Sequence, residues 1–350
     1  MKKILKRAGI IFLCFTVILI ITFTVLFWSD LRSLASIKKV DDYGMFQMTY
    51  YGDYGFDNYL KIGAESDSDI EDYVTKHLLK GLPIRLNVTG GGCTAFIVRS
   101  ENGDLIYGRN FDFSYAPSIQ VITNPKNGYA SISTVNLSFV GYSQDHLPSG
   151  LNFKSFLALT APYLPFDGMN EKGVAIAILA IPEADPPYDE NKVTLNTTTA
   201  VRLVLDKAAT VDEAIELLKQ YNIYFSDGID CHFLIADASG QSVLIEYYDG
   251  GLQTVTTDTP YQVASNFIAY NDVNIGDGFD EFERYDIVHN AIEKNGGIFN
   301  EEQAKAILAE VGVIYKGEDR LQWTVVYNLT SLTGTIFAHR NTNNLIDFQL

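Results

Sequence analysis

Cysteine is rare in this chain. Its 350 residues include three, Cys14, Cys93 and Cys231, too few for a disulfide framework. Cys14 lies in an apolar run, so Cys93 and Cys231 are the one pair left that could bridge. Basic residues are sparse too: 26 Lys and Arg stand against 43 Asp and Glu, for a formal net charge of −17. Seven of those basic residues and one acid fall within residues 1–39, which leaves the rest of the chain at −23. A body that acidic repels phosphate backbones, and with no basic stripe in sight no nucleic-acid partner is expected. The histidines His77, His146, His289 and His339 are scattered without metal-ligand spacing. His232 follows Cys231 at the start of a strand pattern and reads as a buried strand residue. No metal and no other cofactor is expected. Internal repeats and low-complexity tracts are missing. With 47% hydrophobic and 20% charged residues, the chain has the composition of a folded protein with a large core rather than of a disordered one.

What is present begins with an apolar N-terminus. Ala8 to Trp28 is 21 residues without a charge, which as a helix spans roughly 30 Å, the hydrocarbon thickness of a bilayer. Lys2, Lys3, Lys6 and Arg7 precede it and favour a cytoplasmic N-terminus with the remainder outside. The competing reading is a cleaved signal peptide, whose apolar core is shorter. Residues 1–39 are read as a basic flank, a membrane anchor over 8–28 and a juxtamembrane linker. Residues 40–92 form a distinct stretch ahead of the first strong strand signal. Within it Ser68 and Glu71 predict a capped helix through Lys80, closed by Gly81. The acidic run from Glu65 to Asp69 lacks the glycine and glutamate of a calcium loop and suits a helix N-terminus.

Three glycines, Gly90 to Gly92, then free the backbone before Cys93. Cys93 to Arg99 reads as a strand, Asn102-Gly103 as a hairpin turn, and Leu105 to Asp112 as the return strand. Such a hairpin brings Arg109 and Asp112 back near Cys93. Further on, 174–181 is a buried strand, 197–208 and 211–221 are helices, and 233–236 with 242–247 form a second hairpin about Ser239-Gly240. A helix over 301–311 precedes closing strands at 324–328 and 334–338. Hairpins with paired helices between them predict an α+β layered fold. A lone cysteine is most often a small buried residue. Accessible glycines before Cys93, a strand after it and an arginine folded back beside it point instead to a nucleophile.

The spacing carries the comparison further. Cys93-Thr94-x-Phe96 is followed by Gly108-Arg109-Asn110-x-Asp112, with Arg109 sixteen and Asp112 nineteen residues after the cysteine. This resembles the cysteine N-terminal-nucleophile (Ntn) hydrolases: choloylglycine (bile salt) hydrolases, penicillin V acylases, and the acid ceramidase and N-acylethanolamine acid amidase relatives. Asp167-Gly168-Met169-Asn170-Glu171-Lys172-Gly173 and His232 to Asp237, leading to Val243-Leu244-Ile245-Glu246, extend the likeness over roughly residues 93–340. The resemblance implies a four-layer αββα sandwich over 93–350 whose nucleophile is the first residue of the mature chain. It assigns Cys93 to the nucleophile and Arg109 and Asp112 to the side chains beside it. Asn266 takes the place of an oxyanion-hole asparagine and Arg284 that of a later active-site arginine. The implied substrate is a small-molecule N-acyl amide, with bile salts, penicillin V, N-acyl homoserine lactones, N-acyl amino acids and ceramide-like amides all open.

Two departures from the pattern matter. Where bile salt hydrolases carry a second oxyanion-hole asparagine, ten residues after Asn170, this chain has Ala180. Loss of one such donor costs about 3–4 kcal/mol where nothing replaces it, so another donor, such as a backbone N–H, must serve. The other departure is the long segment before Cys93, which is more like the relatives that cut themselves before the cysteine. A cut between Gly92 and Cys93 is expected, because the Cys93 α-amine (pKa about 7.7–8.0 when free) is an amide until then and cannot relay a proton. Acyl transfer, in which another amine replaces water, and a non-catalytic surface binding protein on the same fold are the rival readings. Asn87, Asn136, Asn196 and Asn328 fall in glycosylation sequons, a pattern that arises easily by chance.

Overall fold

The hairpin expected at Asn102-Gly103 is the centre of the molecule. The computed structural model describes residues 2–86, 91–148, 153–276, 278 and 280–350. In it Gly103 supplies a φ of +93° at the turn, and strands Gly92–Arg99 and Leu105–Asp112 pair antiparallel with Cys93 opposite Phe111 and Ala95 opposite Arg109. Side chains alternate along a strand, so Cys93 and Arg109 are diagonal neighbours on one face. Asp112 faces Gly92 on the other.

This hairpin lies in a six-stranded sheet ordered Gln262–Ala264, Gly92–Arg99, Leu105–Asp112, Leu321–Asn328, Thr333–Ala338 and Ile346–Gln349. A nine-stranded sheet packs against it, with Pro165–Asn170, Ala175–Ala180 and Cys231–Ala236 at its middle. Tyr107 reaches across to the Leu234 carbonyl at 2.9 Å, and Trp323 and Tyr327 reach across to Asp167. Helices Thr197–Lys207 and Val211–Leu218 cover the large sheet, and Glu281–Lys294 and Glu301–Val311 cover the small one. Each of three has the cap its sequence suggests: Asn196, Thr210 and Asn300 accept from Thr199, Glu213 and Gln303.

Of the stretch 40–92, expected to stand apart, residues 40–86 are built into this core, and 87–90 lie outside the described residues. Met45–Thr49 lies parallel to Ser118–Thr123 in the nine-stranded sheet, with Lys38–Lys39 at its edge. Tyr54, Phe56, Tyr59 and Tyr73 gather around Tyr163. The Tyr54 hydroxyl donates to buried Asp206, 2.7 Å away, and Arg202 holds the same carboxylate at 3.2 Å. The helix expected from Ser68 is Asp67–His77, capped by Ser66, whose Oγ accepts the Asp69 N–H. Glu71 is not part of the cap; it holds the Leu86 N–H at 2.6 Å.

The apolar helix spans Lys2–Leu26, and Trp28 already belongs to a second helix, Trp28–Ala35. Gly9–Leu26 is the one stretch among the described residues long and apolar enough to cross a membrane, a property shared with signal sequences. The second helix is welded to the body rather than linking it loosely. Ser33 and Ser36 hydroxyls accept the Tyr51 and Thr49 N–H groups at 2.8 and 3.0 Å. Of the sequons, Asn136, Asn196 and Asn328 are buried and bonded to backbone, which closes them to glycans in the folded chain; Asn87 lies outside the described residues.

A chain beginning at Cys93 lacks an inner strand and the Tyr54 partner of Asp206. Expressed alone, it is expected to aggregate or to lose cooperative melting, as read by circular dichroism. A soluble product melting like the full chain would show that residues 40–86 are dispensable to the core.

Candidate active site

Cys93 is buried, with 3% of its surface exposed. The Arg109 guanidinium reaches it: Nη2 lies 3.6 Å from Sγ and donates to the Ile178 carbonyl at 3.1 Å. Arg109 is itself fully out of water and lies over the rings of Phe111 and Trp323. Its counter-ion is Asp167, 3.4 Å from Nε. That carboxylate also accepts from Trp323 Nε1 at 2.9 Å and the Tyr327 hydroxyl at 2.8 Å. A buried charge needs partners: Asp167 and the Ile178 carbonyl hold the guanidinium against the sulfur, while Nε and Nη1 have no hydrogen-bond partner among the described residues.

The backbone of Cys93 is held as closely as its side chain. Its N–H donates to Asn266 Oδ1 at 2.6 Å. Its carbonyl accepts from Arg284 Nη1 at 2.5 Å and from the Ser265 hydroxyl at 3.2 Å. Arg284 continues to Thr94 Oγ1 and to Asn266 Oδ1, at 2.6 and 2.8 Å. Asn266 Nδ2 donates to the Ala180 carbonyl at 2.8 Å. So Asn266 presents its oxygen to the Cys93 nitrogen and ties the site to the facing sheet. Arg284 grips the strand that carries Cys93.

Gly91 and Gly92 serve by their small size, since neither has a positive φ. A Cβ on Gly91 would fall 2.4 Å from the Asp112 carbonyl oxygen, and one on Gly92 would crowd Val313 and Asp112 at 3.0 and 3.3 Å. Gly90 lies outside the described residues. Asp112 is fully buried; Oδ1 accepts the Val313 N–H at 2.8 Å, while Oδ2 has no hydrogen-bond partner among the described residues. Burial pushes its carboxyl up to about 6, against the pull of Arg284, the Val313 N–H and Arg109. Burial likewise pushes the Cys93 thiol up to about 11; Arg109 opposes this, Asp112 adds to it, and Arg284 and the Ala180 N–H oppose it. Cys231 is a free, buried thiol bonded to the Ile229 carbonyl. Burial lifts its pKa well above the ordinary value.

Cys93 opens onto a cavity lined mainly by Phe111, Phe139, Leu164, Phe166 and Ile178, with Leu86 from the preceding segment. At one side it meets Asn196, Thr197 and Thr198 at the start of a helix.

The profile of the linear amide C–N hydrolases, choloylglycine hydrolase family, matches residues 93–294, and the chain belongs to that family. It is 35% identical over 111 residues to a penicillin V acylase of Pectobacterium atrosepticum, a stretch covering 29% of each chain. It is 27% identical over 163 residues to a bile salt hydrolase/transferase of Clostridium perfringens, covering 44% of this chain and 47% of that one. The matched stretches thus span less than half of either relative. The fold is similar to that of a conjugated bile acid hydrolase variant from Clostridium perfringens, at a TM-score of 0.54 and 17% identity, over 74% of this chain and 92% of the other.

The structure brings Cys93, Arg109, Asn266 and Arg284 into direct contact and sets Asp112 behind Gly92. Asp167 and Thr94 stand in the quoted motifs without a role of their own, and Ser265 is a site residue the sequence does not single out. For Thr94 and Ser265 the available signal was their neighbours in sequence, Cys93 and Asn266.

In the uncleaved chain, iodoacetamide is expected to label Cys93 slowly at pH 7 and progressively faster up to pH 10, because the thiolate is the reactive form. A labelling rate that levels off below pH 8 would contradict the burial argument.

Proposed function

We propose that this chain hydrolyses a linear amide with an apolar acyl group, using Cys93 as an N-terminal nucleophile after a cut between Gly92 and Cys93. The observation that carries this is the convergence of Arg109 on Sγ, and of Asn266 and Arg284 on the Cys93 backbone, at the mouth of an apolar cavity. In the first stage Sγ attacks the Gly92 carbonyl, the acyl group moves from nitrogen to sulfur, and water cleaves the thioester. That leaves a Gly92 carboxylate and a free Cys93 amine. The amine is then held by Asn266 Oδ1 and has Asp112 near it.

In the second stage the amine takes the thiol proton and Sγ attacks the substrate carbonyl. Arg109 favours the thiolate by charge. The Ala180 N–H, one of the groups that favour the Cys93 thiolate, is the donor we assign in place of the asparagine missing at that position, next to Asn266. The leaving amine takes the proton, and water releases the acid. Phe111, Phe139, Leu164 and Phe166 favour an apolar acyl group. The N-terminal helix is read as an anchor with the hydrolase outside the membrane, supported by its basic flank and uncharged length. Because residues 40–86 share the core, the two pieces are expected to stay together after the cut.

N-terminal sequencing of purified protein should give a chain starting at Cys93, copurifying with the preceding segment, and Cys93→Ala should remain uncut. A panel of acetyl, phenoxyacetyl and lauroyl amides on one reporter amine should show turnover favouring the larger acyl groups. Asp112→Asn in the cut enzyme should lower kcat by roughly 10²–10⁴. Full-length protein that turns over these amides uncut, or an unimpaired Asp112→Asn enzyme, would sink the proposal.

A further inference from the structure

Glu246 is a buried carboxyl that the chemistry above does not use. It lies in strand Ser242–Tyr248 and is fully out of water. Phe233 pairs with Ile245 across the hairpin, so His232 and Glu246 continue that register as the next facing pair. His232 Nδ1 is 2.9 Å from Oε1. The remaining partners come from the other sheet's side of the molecule: the Ala269 N–H donates to Oε1 at 3.0 Å and the Tyr270 N–H to Oε2 at 2.9 Å.

Those two N–H groups belong to the turn that follows Asn266. The chain leaves strand Gln262–Ala264, passes through Ser265 and Asn266, and doubles back with Ile268 and Ile275 bonded and Phe267 bridged to Gly276. Asn271 and Asn274 take positive φ within it. A turn of this kind leaves some N–H groups without a backbone partner, and the Glu246 carboxylate takes two of them. An apolar residue would pack the same space without the desolvation that a buried carboxylate incurs. What the carboxylate adds is a fixed geometry at three donors. Burial favours its neutral form, but the His232 hydrogen bond and charge and the two N–H donors outweigh this and hold it below its ordinary value.

We infer that Glu246, oriented by His232, is a positioning residue that sets Asn266 against the Cys93 nitrogen. The inference rests on the role given to Asn266 above. Asn266 must meet two targets at once, the Cys93 N–H at 2.6 Å and the Ala180 carbonyl at 2.8 Å. Its own strand fixes it from one end, and the Glu246 carboxylate fixes the turn at the other. A misplacement of about 1 Å in such a group can cost about 100-fold in rate.

The test uses the full chain, cut as it is made, with the fastest amide of the panel. Glu246→Gln keeps the shape but turns one acceptor into a donor facing an N–H. It should lower kcat per alkylatable Cys93 by roughly 10–100-fold with KM within a few-fold of the parent and an unchanged far-UV spectrum. His232→Asn keeps a donor where Nδ1 stands and should stay within a few-fold of the parent, whereas His232→Leu should fall as Glu246→Gln does. Should Glu246→Gln fail to fold, the contrast between the two His232 variants decides. Unchanged kcat per site in a folded Glu246→Gln enzyme, or equal loss in both His232 variants, would overturn the inference. Asn266→Ala separates the two levels. If it retains turnover, the role given to Asn266 has failed. If it loses turnover while Glu246→Gln does not, this inference alone has failed.

Discussion

Arg109 and Asp167 are both fully withdrawn from water, and each depends on the other to be there. Removing one partner of a buried pair leaves an uncompensated charge, at a cost of about 3–5 kcal/mol. The pair also joins the two sheets, since Arg109 belongs to the hairpin of Cys93 and Asp167 to the facing sheet. Trp323 and Tyr327 complete the carboxylate's hydrogen bonds from a third strand. The position of Nη2 next to Cys93 therefore follows from the packing of the whole sandwich, not from a loop free to adjust.

The same logic governs the segment before Cys93. The proposed cut at Gly92 would divide the chain covalently, yet Met45–Thr49 is paired within the large sheet and Tyr54 is bonded to Asp206 in its helix layer. The segment also supplies Leu86 to the cavity that Cys93 faces. It thus forms part of the wall of that cavity, and the proposed loss of the covalent link would leave its packing in place.

The hairpin was legible in the sequence because its information is local. Asn102-Gly103 sets the turn, the turn sets the register, and the register puts Arg109 diagonal to Cys93. The helices expected at 211–221 and 301–311 are equally local, and Thr210 and Asn300 cap them. Other features depend on partners far away in the chain. Met45–Thr49 is a strand only because Ser118–Thr123 lies parallel to it. The strands Ser118–Thr123 and Ser131–Asn136 are buried on both faces, although Ile119, Val121 and Ile132 alternate with Ser118, Gln120, Ser131 and Ser133; that short alternation and Asn127-Gly128 between the strands were the usable clues. Ser68 was a plausible cap, but Ser66 takes the role because Asp69 can bond back to both Glu65 and Ser66. The three glycines were expected to serve backbone freedom, and Gly91 and Gly92 turn out to serve clearance from Asp112 and Val313. Among the candidate site residues, Asn266 and Arg284 were placed by resemblance alone. That they act on the Cys93 backbone depends on contacts across 173 and 191 residues, which no local pattern encodes.

The central claim is that Cys93 carries the acyl group during turnover. The direct measurement is intact-mass and peptide mass spectrometry of enzyme mixed with excess lauroyl amide and quenched in acid within the first turnovers. The account predicts a hydroxylamine-sensitive mass increase of one lauroyl group on the peptide that begins at Cys93. An acyl adduct on any other residue, or steady hydrolysis by a cut enzyme with no adduct at Cys93 under conditions that trap thioesters, would contradict it.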